Sequence, residues 1–209
     1  MISLFVVILV SYLIGSIPFS YIAGKLKAGI DLREHGSGNL GASNTFRILG
    51  PRVASLVLLG DVVKGFLPVY FAPHLGAAQG LPSHWLMLAA ALFTVLGHMF
   101  SIYLKFTGGK GIATSAGAFL ALTPWACIGA VVVWGIVMAI KRIVSLASLS
   151  AAVALPFIVY ASGRLDVSSS HWSLLVLSII VSIVVIIRHK SNIERLLKRS
   201  EPNLARKKQ

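Results

Sequence analysis

Acidic residues are scarce in this chain of 209 residues, which carries 6 aspartates and glutamates against 19 lysines and arginines. It has no row of aspartates, which argues against a metal-dependent CDP-alcohol phosphotransferase. The single cysteine, Cys127, lies in an apolar run, where a small buried hydrophobe is the simplest interpretation. His74, His84 and His171 are scattered, so we predict neither a metal site nor a cofactor.

Two catalytic signatures are also missing. The segment around Lys110 is not a Walker A loop, because Gly111 stands where Ser or Thr would follow the lysine. The acyltransferase pattern of His, four residues and Asp is absent, and the similar pair of His189 and Glu194 falls in a helical tail. No basic residue precedes the first apolar run and no clear cleavage site follows it, so we expect a retained span rather than a signal peptide.

Hydrophobic residues are what the chain has in excess. They make up 56% of it, with a mean hydropathy of +0.86, whereas a soluble domain is about 45–50% apolar. A membrane-spanning helix needs about 20 apolar residues. The long apolar runs are residues 2–23, 53–72, 85–104, 112–140, 143–162 and 172–187. We therefore expect an all-α, polytopic integral membrane protein.

The basic residues predict the orientation of the spans. With seven spans, 17 of the 19 lysines and arginines fall on one side, with Lys64 inside a span and Arg164 on the opposite side. Cytosolic loops carry such an excess, so we predict an N-terminus outside and a C-terminus in the cytosol. Six spans would scatter the charges.

Seven spans require a break in the run 112–140, and we place it at Thr123 and Pro124 because proline ends or kinks a helix. The span before Pro124 would then have roughly 12 residues, or about 18 Å. It cannot cross a bilayer unless its cytosolic end lies in a protein-lined hollow. We expect the functional site in this hollow.

The first polar loop reads His-Gly-Ser-Gly-Asn-Leu-Gly-Ala-Ser-Asn over residues 35–44, followed by Arg47. Its glycines allow close approach of the backbone, and exposed amides beside Ser and Asn donors form a nest suited to an anion. Arg47 could bind a phosphate through two hydrogen bonds. A flexible linker is the alternative, although linkers seldom combine this much Asn with an Arg.

A second cluster reads Lys-Phe-Thr-Gly-Gly-Lys-Gly-Ile-Ala-Thr over residues 105–114. The Gly-Gly-Lys-Gly sequence places amides and an ammonium group at a helix N-terminus, where the helix dipole favours phosphate. The alternative is a tight turn whose lysine extends to the membrane surface.

A third cluster follows the last span at residues 187–195. On a continuing helix, Arg188, Asn192 and Arg195 share one face with His189 at its flank. A basic helix that only contacts anionic lipid is a strong alternative. We divide the chain into a membrane domain, residues 1–199, and a solvated basic tail, residues 200–209.

Polar residues inside the spans allow two interpretations. Asp61 and Lys64 lie three residues apart on one helical face, as a neutralised structural pair or as part of the site. Ser145 and Ser148 open a span, where they could face the hollow or join helices. We interpret His98 as a structural hydrogen-bond donor.

Together these clusters describe a site for phosphorylated ligands. The net charge of +13 fits anionic lipid headgroups rather than nucleic acid. A site without an evident base suits acyl transfer from a donor that already has a good leaving group. An organic-phosphate transporter would need polar residues through the midplane, which are sparse here, and a lipid-binding scaffold would not need Lys110.

Residues 37–44 with Arg47, residues 108–114 and residues 188–195 make the chain similar to the acyl-phosphate-dependent glycerol-3-phosphate acyltransferase family, PlsY, over nearly its whole length. The resemblance implies a bacterial inner-membrane enzyme with a cytosolic active site. It implies acyl transfer from acyl phosphate to the sn-1 hydroxyl of glycerol 3-phosphate, giving lysophosphatidate and phosphate in the committed step of phospholipid synthesis. It also implies functional coupling to the enzyme that makes acyl phosphate.

The same resemblance assigns residues to substrates. It implies that glycerol 3-phosphate is held by Ser37, Arg47, Lys110, His189 and Asn192, and that the acyl phosphate lies near Asn39, Ser43 and Ser148. The further predicted substrate contacts are Asn44, Gly108, Gly109 and Gly111, and the predicted catalytic residues are Ser37, Lys110 and His189. Many relatives have Gly where this chain has Arg199, so we assign no role to the nearby Glu201.

Overall fold

Helices provide the regular secondary structure of residues 2–76, 82–163 and 169–203, the part of the chain that our computed structural model describes. These ranges contain no β-strand. Their α-helices are α1 (Ile2–Gly15), α2 (Phe19–Ala28), α3 (Ala42–Leu49), α4 (Pro51–Gly76), α5 (Ser83–Met99), α6 (Ile112–Leu122), α7 (Pro124–Lys141), α8 (Val144–Ser162), α9 (Ser169–Arg188) and α10 (Lys190–Leu197). The all-α prediction is confirmed.

Within the described ranges, six helical segments are long and apolar enough to cross a membrane. They are Leu4–Ala28, which joins α1 and α2, Pro51–Leu75, Ser83–Leu104, Pro124–Lys141, Val144–Ser162 and His171–Arg188. Large apolar side chains on them are exposed, including Trp125 (79%) and Phe157 (71%), as expected where a surface faces lipid. The polytopic membrane prediction is confirmed, whereas the count of seven spans and the orientation stay predictions.

Helix α6 is the short apolar helix that the sequence predicts. It has 11 residues, or about 17 Å of helix, and ends at Leu122. Thr123 has a non-helical backbone (φ −153°, ψ 88°), and Pro124 opens α7. The break predicted at Thr123 and Pro124 is confirmed, because proline cannot donate the hydrogen bond that would continue a helix but is tolerated in a first turn.

The chain divides at this break into two compact units, Met1–Leu122 and Thr123–Gln209. In the first unit, glycines let α4 and α6 approach closely. A Cβ on Gly65 would collide with the Thr114 carbonyl, and a Cβ on Gly117 would collide with the Val62 carbonyl. Small residues pack membrane helices in this way because van der Waals contact holds such helices together. The assignment of residues 1–199 to a single domain stays a prediction.

The first span is interrupted at residues 16–18, which the sequence analysis did not predict. Pro18 has no amide hydrogen, so it favours a break or kink in the helix here. The carbonyl of Ser16 accepts a hydrogen bond from Ser101 Oγ at 2.6 Å, and the carbonyl of Ile17 accepts one from Lys64 Nζ at 2.7 Å. Neighbouring side chains thus satisfy backbone groups that a broken helix frees inside a membrane.

In the second unit, α8 packs against both α7 and α9. Ser182 Oγ on α9 donates to the Ala152 carbonyl of α8 at 2.6 Å, which joins these two helices. Helix α9 ends at Arg188, and His189 (φ −94°, ψ 10°) forms a one-residue turn before α10. The helix predicted to continue through residues 187–195 is therefore interrupted at His189.

Candidate active site

Asn44 is the centre of the first glycine-rich loop. It is completely buried, near the start of α3. Its amide oxygen accepts hydrogen bonds from Ser37 N–H at 2.9 Å and Ser37 Oγ at 3.2 Å. Its amide nitrogen donates to the carbonyls of Leu32 at 3.1 Å and His35 at 3.0 Å. These bonds use the full capacity of the amide group, so Asn44 holds the loop in place. Its predicted contact with a substrate stays a prediction.

Two glycines give the loop its turns around Ser37. Gly36 has φ +64° and Gly38 has φ +68°, in the left-handed region that glycine adopts at no steric cost. A Cβ on Gly36 would also collide with the side-chain oxygen of Asn44. Ser37 is therefore exposed, while its backbone N–H is held by the buried Asn44 side chain.

Arg33 joins the first loop to the second. Its Nη2 donates to Asp31 Oδ2 at 2.6 Å, and its Nη1 donates to Thr107 Oγ1 at 3.4 Å. The hydrogen bond from the Arg33 side chain lowers the pKa of Asp31, so the carboxylate stays ionised. Thr107 directly precedes Gly108 in the chain, so this bridge ends at the second glycine-rich loop.

The second loop leads from α5 into the N-terminus of α6. The Gly109 N–H donates to the His98 carbonyl at 3.1 Å, and the Ser115 N–H donates to the Gly111 carbonyl at 2.7 Å. Lys110 is half-buried and lies two residues before α6 begins. The prediction that Gly-Gly-Lys-Gly precedes a helix N-terminus is confirmed. Such a terminus carries a partial positive charge that favours an anion.

The two glycine-rich loops pack against each other within the first unit. Leu40 of the first loop is buried with Leu32 and with Leu104, which lies just before the second loop. A Cβ on Gly109 would collide with the Leu40 carbonyl. The structure thus brings together the two clusters that the sequence predicts to be anion nests.

The remaining predicted contacts of the first unit lie beside these loops. Asn39 and Ser43 are half-buried and Arg47 is exposed. Ser43 and Arg47 are four residues apart on α3, so they share one face of that helix. Together with Lys110 of the second loop, these residues offer a fork-shaped guanidinium, an ammonium group and hydroxyl donors, groups suited to phosphate. The assignment of these residues to substrates stays a prediction.

Glu201 organises the predicted site residues of the second unit. Its side chain is 4% exposed. Oε1 accepts hydrogen bonds of 2.7 Å from Asn192 Nδ2 and from Ser145 Oγ, and Oε2 accepts one of 2.6 Å from Arg195 Nε. Burial raises the pKa of Glu201, but these hydrogen bonds outweigh burial and leave its pKa below the ordinary value.

This role of Glu201 was not predicted from the sequence. Glu201 is held by three side chains, and Asn203 Nδ2 donates to the Lys141 carbonyl at 3.1 Å, so neither residue belongs to a solvated tail. Residues 204–209 of the predicted tail lie outside the described residues. One feature of the sequence could have indicated this role: Glu201 is the single acidic residue among the basic residues that follow α10. A buried carboxylate needs hydrogen-bonding or charged partners.

His189 and Ser148 are buried in the second unit, at 2% and 4% exposure. His189 Nδ1 lies 2.8 Å from the Val185 carbonyl oxygen. A carbonyl only accepts hydrogen bonds, so Nδ1 carries a proton, and Nε2 is the nitrogen that can accept one when the ring is neutral. Ser148 Oγ accepts a hydrogen bond from Trp134 Nε1 at 3.3 Å. The predicted catalytic and binding roles of His189, Asn192 and Ser148 stay predictions.

The fold and these loops define a class, an all-helical integral membrane protein with polar, glycine-rich loops that follow its spans. A family model described as glycerol-3-phosphate acyltransferase matches residues 5–199. The chain is 44% identical over 191 residues to a glycerol-3-phosphate acyltransferase of Trichlorobacter lovleyi, with 91% of this chain and 92% of the relative covered. It is 42% identical over 202 residues to one of Staphylococcus aureus, with 95% and 96% covered.

Two solved structures agree with this family. The glycerol 3-phosphate form of PlsY, an integral membrane glycerol 3-phosphate acyltransferase, superposes with a TM-score of 0.86 and 36% identity, covering 97% of this chain and 96% of that one. The lysophosphatidic acid form gives a TM-score of 0.83 and 35% identity, covering 96% and 95%. The chain belongs to the glycerol-3-phosphate acyltransferase family and is an integral membrane acyltransferase of the PlsY type.

Proposed function

We propose that this protein transfers a fatty acyl group from acyl phosphate to the sn-1 hydroxyl of glycerol 3-phosphate, giving lysophosphatidate and phosphate. The observation that carries the proposal is the packing of the Asn44-centred loop against the Gly-Gly-Lys-Gly loop at the start of α6. The similar PlsY structures, described as the glycerol 3-phosphate and lysophosphatidic acid forms, support the same acceptor and product.

Each of the two substrates carries a phosphate, and the chain has enough basic and hydrogen-bonding side chains to bind both phosphates. We assign Ser37, Arg47, Lys110, His189 and Asn192 to glycerol 3-phosphate, and Asn39, Ser43 and Ser148 to the acyl phosphate. An exposed Arg47 can bind a phosphate through two parallel hydrogen bonds, while Lys110 acts as a point charge. The further contacts that we propose are Gly108, Gly109 and Gly111, and Asn44 contributes to the site by holding Ser37 in place.

In the reaction, the sn-1 hydroxyl oxygen attacks the carbonyl carbon of the acyl phosphate. The carbon–oxygen bond to the phosphoryl group then breaks, and phosphate leaves. Backbone amides at the start of α6 and the Lys110 ammonium stabilise the oxyanion that forms in between, an effect of about 3–4 kcal/mol for a single donor in other acyl-transfer enzymes. We also assign catalytic contributions to Ser37 and His189.

The hydroxyl proton needs an acceptor during this attack. The donor phosphate can accept it, because the second pKa of a phosphate monoester lies near 6, close to physiological pH. His189 is the competing base, since the hydrogen bond of Nδ1 to the Val185 carbonyl leaves Nε2 as its acceptor atom. We favour the donor phosphate because it leaves as phosphate and can carry the proton away with it.

We place the enzyme in the bacterial inner membrane with seven spans, the N-terminus outside and the active site facing the cytosol. The excess of basic residues on one side of the predicted topology supports this orientation. Acyl phosphate would be supplied by the enzyme that makes it, with which we propose functional coupling. Lysophosphatidate leaves into the bilayer.

The test uses purified full-length protein with palmitoyl phosphate and glycerol 3-phosphate. We expect release of phosphate in step with lysophosphatidate, and NMR of the product should show the ester at the sn-1 position. Palmitoyl-CoA and palmitoyl-acyl carrier protein should not replace palmitoyl phosphate. Activity with palmitoyl-CoA alone would overturn the proposed donor.

Two variants sharpen this test. Lys110→Ala should lower kcat/KM strongly, whereas Lys27→Ala, which removes an exposed lysine of α2, should not. Equal effects would show that only the total charge matters. Uptake of labelled glycerol 3-phosphate into proteoliposomes without any product would instead favour a transporter.

A further inference from the structure

Three ionisable side chains lie together inside the first unit, and the proposed mechanism does not use them. Asp61 and Lys64 on α4 are 2% and 3% exposed, and His98 near the end of α5 is 8% exposed. Lys64 Nζ lies 2.6 Å from Asp61 Oδ1, and His98 Nδ1 lies 3.5 Å from the same oxygen. Charged residues within membrane spans are costly and are usually retained for function.

The cluster is connected on one side to the broken first span. Lys64 Nζ donates to the Ile17 carbonyl at 2.7 Å, and Ser101 Oγ donates to the Ser16 carbonyl at 2.6 Å. These carbonyls lie at the interruption of the first span, between α1 and α2. Lys64 therefore has a fixed position, and its ammonium group in turn holds the Asp61 carboxylate.

On the other side, the cluster is connected to the Gly-Gly-Lys-Gly loop through His98. The His98 carbonyl accepts the Gly109 N–H at 3.1 Å. The ring lies against the same residue, because a Cβ on Gly109 would collide with His98 Nε2. His98 thus contacts Gly109, the residue before Lys110, through both its backbone and its side chain.

Packing alone does not hold the His98 ring on all sides. A small cleft, partly open to solvent, is lined by residues that include Asp61, Lys64, His98, Gly108 and Gly109. A side chain that borders empty space lacks close-packed neighbours there, so its orientation depends more on polar contacts. The contact with Asp61 is a polar contact that orients the ring toward Gly109.

We propose that Asp61, Lys64 and His98 are positioning residues that set the backbone of residues 108–111 for the phosphate of glycerol 3-phosphate, an inference that rests on the proposed function. Asp61 and Lys64 act through His98 and touch no substrate. The pair is therefore more than a neutralised structural element. Loss of the link shifts the loop and weakens binding of the acceptor, while the chemical step of molecules that do bind is preserved.

The first variant is His98→Phe, which keeps a ring of similar size and leaves the Asp61–Lys64 pair intact. We expect KM for glycerol 3-phosphate to rise about tenfold with kcat within about twofold, the signature of lost binding rather than lost chemistry. Thr94→Val is the matched control, because Thr94 is a buried residue one turn earlier on α5 and valine preserves its shape. It should leave KM unchanged.

The second variant is Asp61→Asn combined with Lys64→Gln, which removes both charges together so that neither is left buried alone. A buried pair with a purely structural role can be replaced by neutral groups at little cost. We expect this double variant to raise KM as His98→Phe does, and the triple variant to add little, because all break one link. An unchanged KM in a folded double variant would overturn the inference. So would a triple variant whose rise in KM equals the combined effects of the double variant and His98→Phe.

Equilibrium binding of glycerol 3-phosphate by calorimetry, without an acyl donor, separates this inference from the proposed function. Wild-type protein that neither binds nor acylates glycerol 3-phosphate would refute the proposed function itself. Wild-type protein that does both, with variants whose affinity is unchanged, would refute only the positioning role. If the double variant does not fold, the comparison of His98→Phe with Thr94→Val still decides whether His98 positions the loop.

Discussion

Ser37 and Asn44 are joined by two hydrogen bonds to one atom, since the Asn44 amide oxygen accepts both the N–H of Ser37 at 2.9 Å and its Oγ at 3.2 Å. Ser37 is exposed, whereas Asn44 is completely buried. The conformation of an exposed loop is therefore set by a buried side chain of α3. This arrangement holds the loop before any ligand arrives, which lowers the ordering cost of binding.

Asn44→Asp tests this arrangement. Aspartate keeps an acceptor for Ser37 but has no N–H for the carbonyls of Leu32 and His35, and a buried group left unsatisfied costs about 1–3 kcal/mol. We expect faster hydrogen exchange of the amides of residues 35–39 and a KM for glycerol 3-phosphate raised about tenfold or more. Glu34→Gln, at an exposed position of the same loop, should change neither. Normal exchange in Asn44→Asp would contradict the role of Asn44.

Gly109→Ala tests the packing of the two loops. The added Cβ would collide with the His98 ring and the Leu40 carbonyl, so the second loop must move. We expect kcat/KM to fall by at least about tenfold, which corresponds to roughly 1.4 kcal/mol of lost transition-state stabilisation. Gly135→Ala is the control, because a Cβ at Gly135 of α7 meets nothing within 4 Å. Wild-type kinetics in Gly109→Ala would show that the loops are not closely packed.

Glu201→Gln tests the polar centre of the second unit. It removes charge-assisted hydrogen bonds from Asn192, Ser145 and Arg195, and bonds to charged groups contribute about 1.5–3 kcal/mol. Since the pKa of Glu201 is lowered on folding, its contribution is present above the ordinary value of 4.5 and is lost as pH falls through the lower folded value. We expect thermal unfolding to show that the wild type is more stable than the variant at pH 7. This difference in stability should shrink as the pH falls below 4.5. Glu194→Gln, an exposed change on α10, should show no gap.

His189→Asn separates the two candidate bases. The asparagine amide can still donate to the Val185 carbonyl, as Nδ1 does, but it offers nothing in place of Nε2. With the donor phosphate as base, KM should rise while the pH profile of kcat keeps its shape. Loss of the limb that reports a basic group would instead assign the proton transfer to His189. His189→Gln, whose amide is one carbon further from the backbone and so lies nearer the position of Nε2 than that of Nδ1, should lower thermal stability more than His189→Asn does.

Several features of this protein follow from the amino-acid sequence by itself. The long apolar runs determine helices that cross a membrane, because a backbone in lipid must satisfy its own hydrogen bonds. The break at Pro124 was predictable because proline has no N–H to donate and the run 112–140 needs an interruption for its basic end to return to the cytosolic side. The glycine-rich motifs were readable because anion-binding loops need glycine conformations and free amides at defined positions.

Only the tertiary structure decided which residues support these loops. Nothing in the local sequence pairs Asn44 with the carbonyl of Leu32, places His98 against Gly109, or gives Glu201 its three donors, because the residues in these contacts share neither a helical turn nor a tight turn. The interruption at residues 16–18 was likewise not predictable. A helix can break inside a membrane only where other groups satisfy the freed carbonyls, and here Lys64 and Ser101 do so. Hydrophobicity and backbone chemistry act locally and can be read from sequence, whereas burial of a polar group is decided by the partners that the fold brings to it.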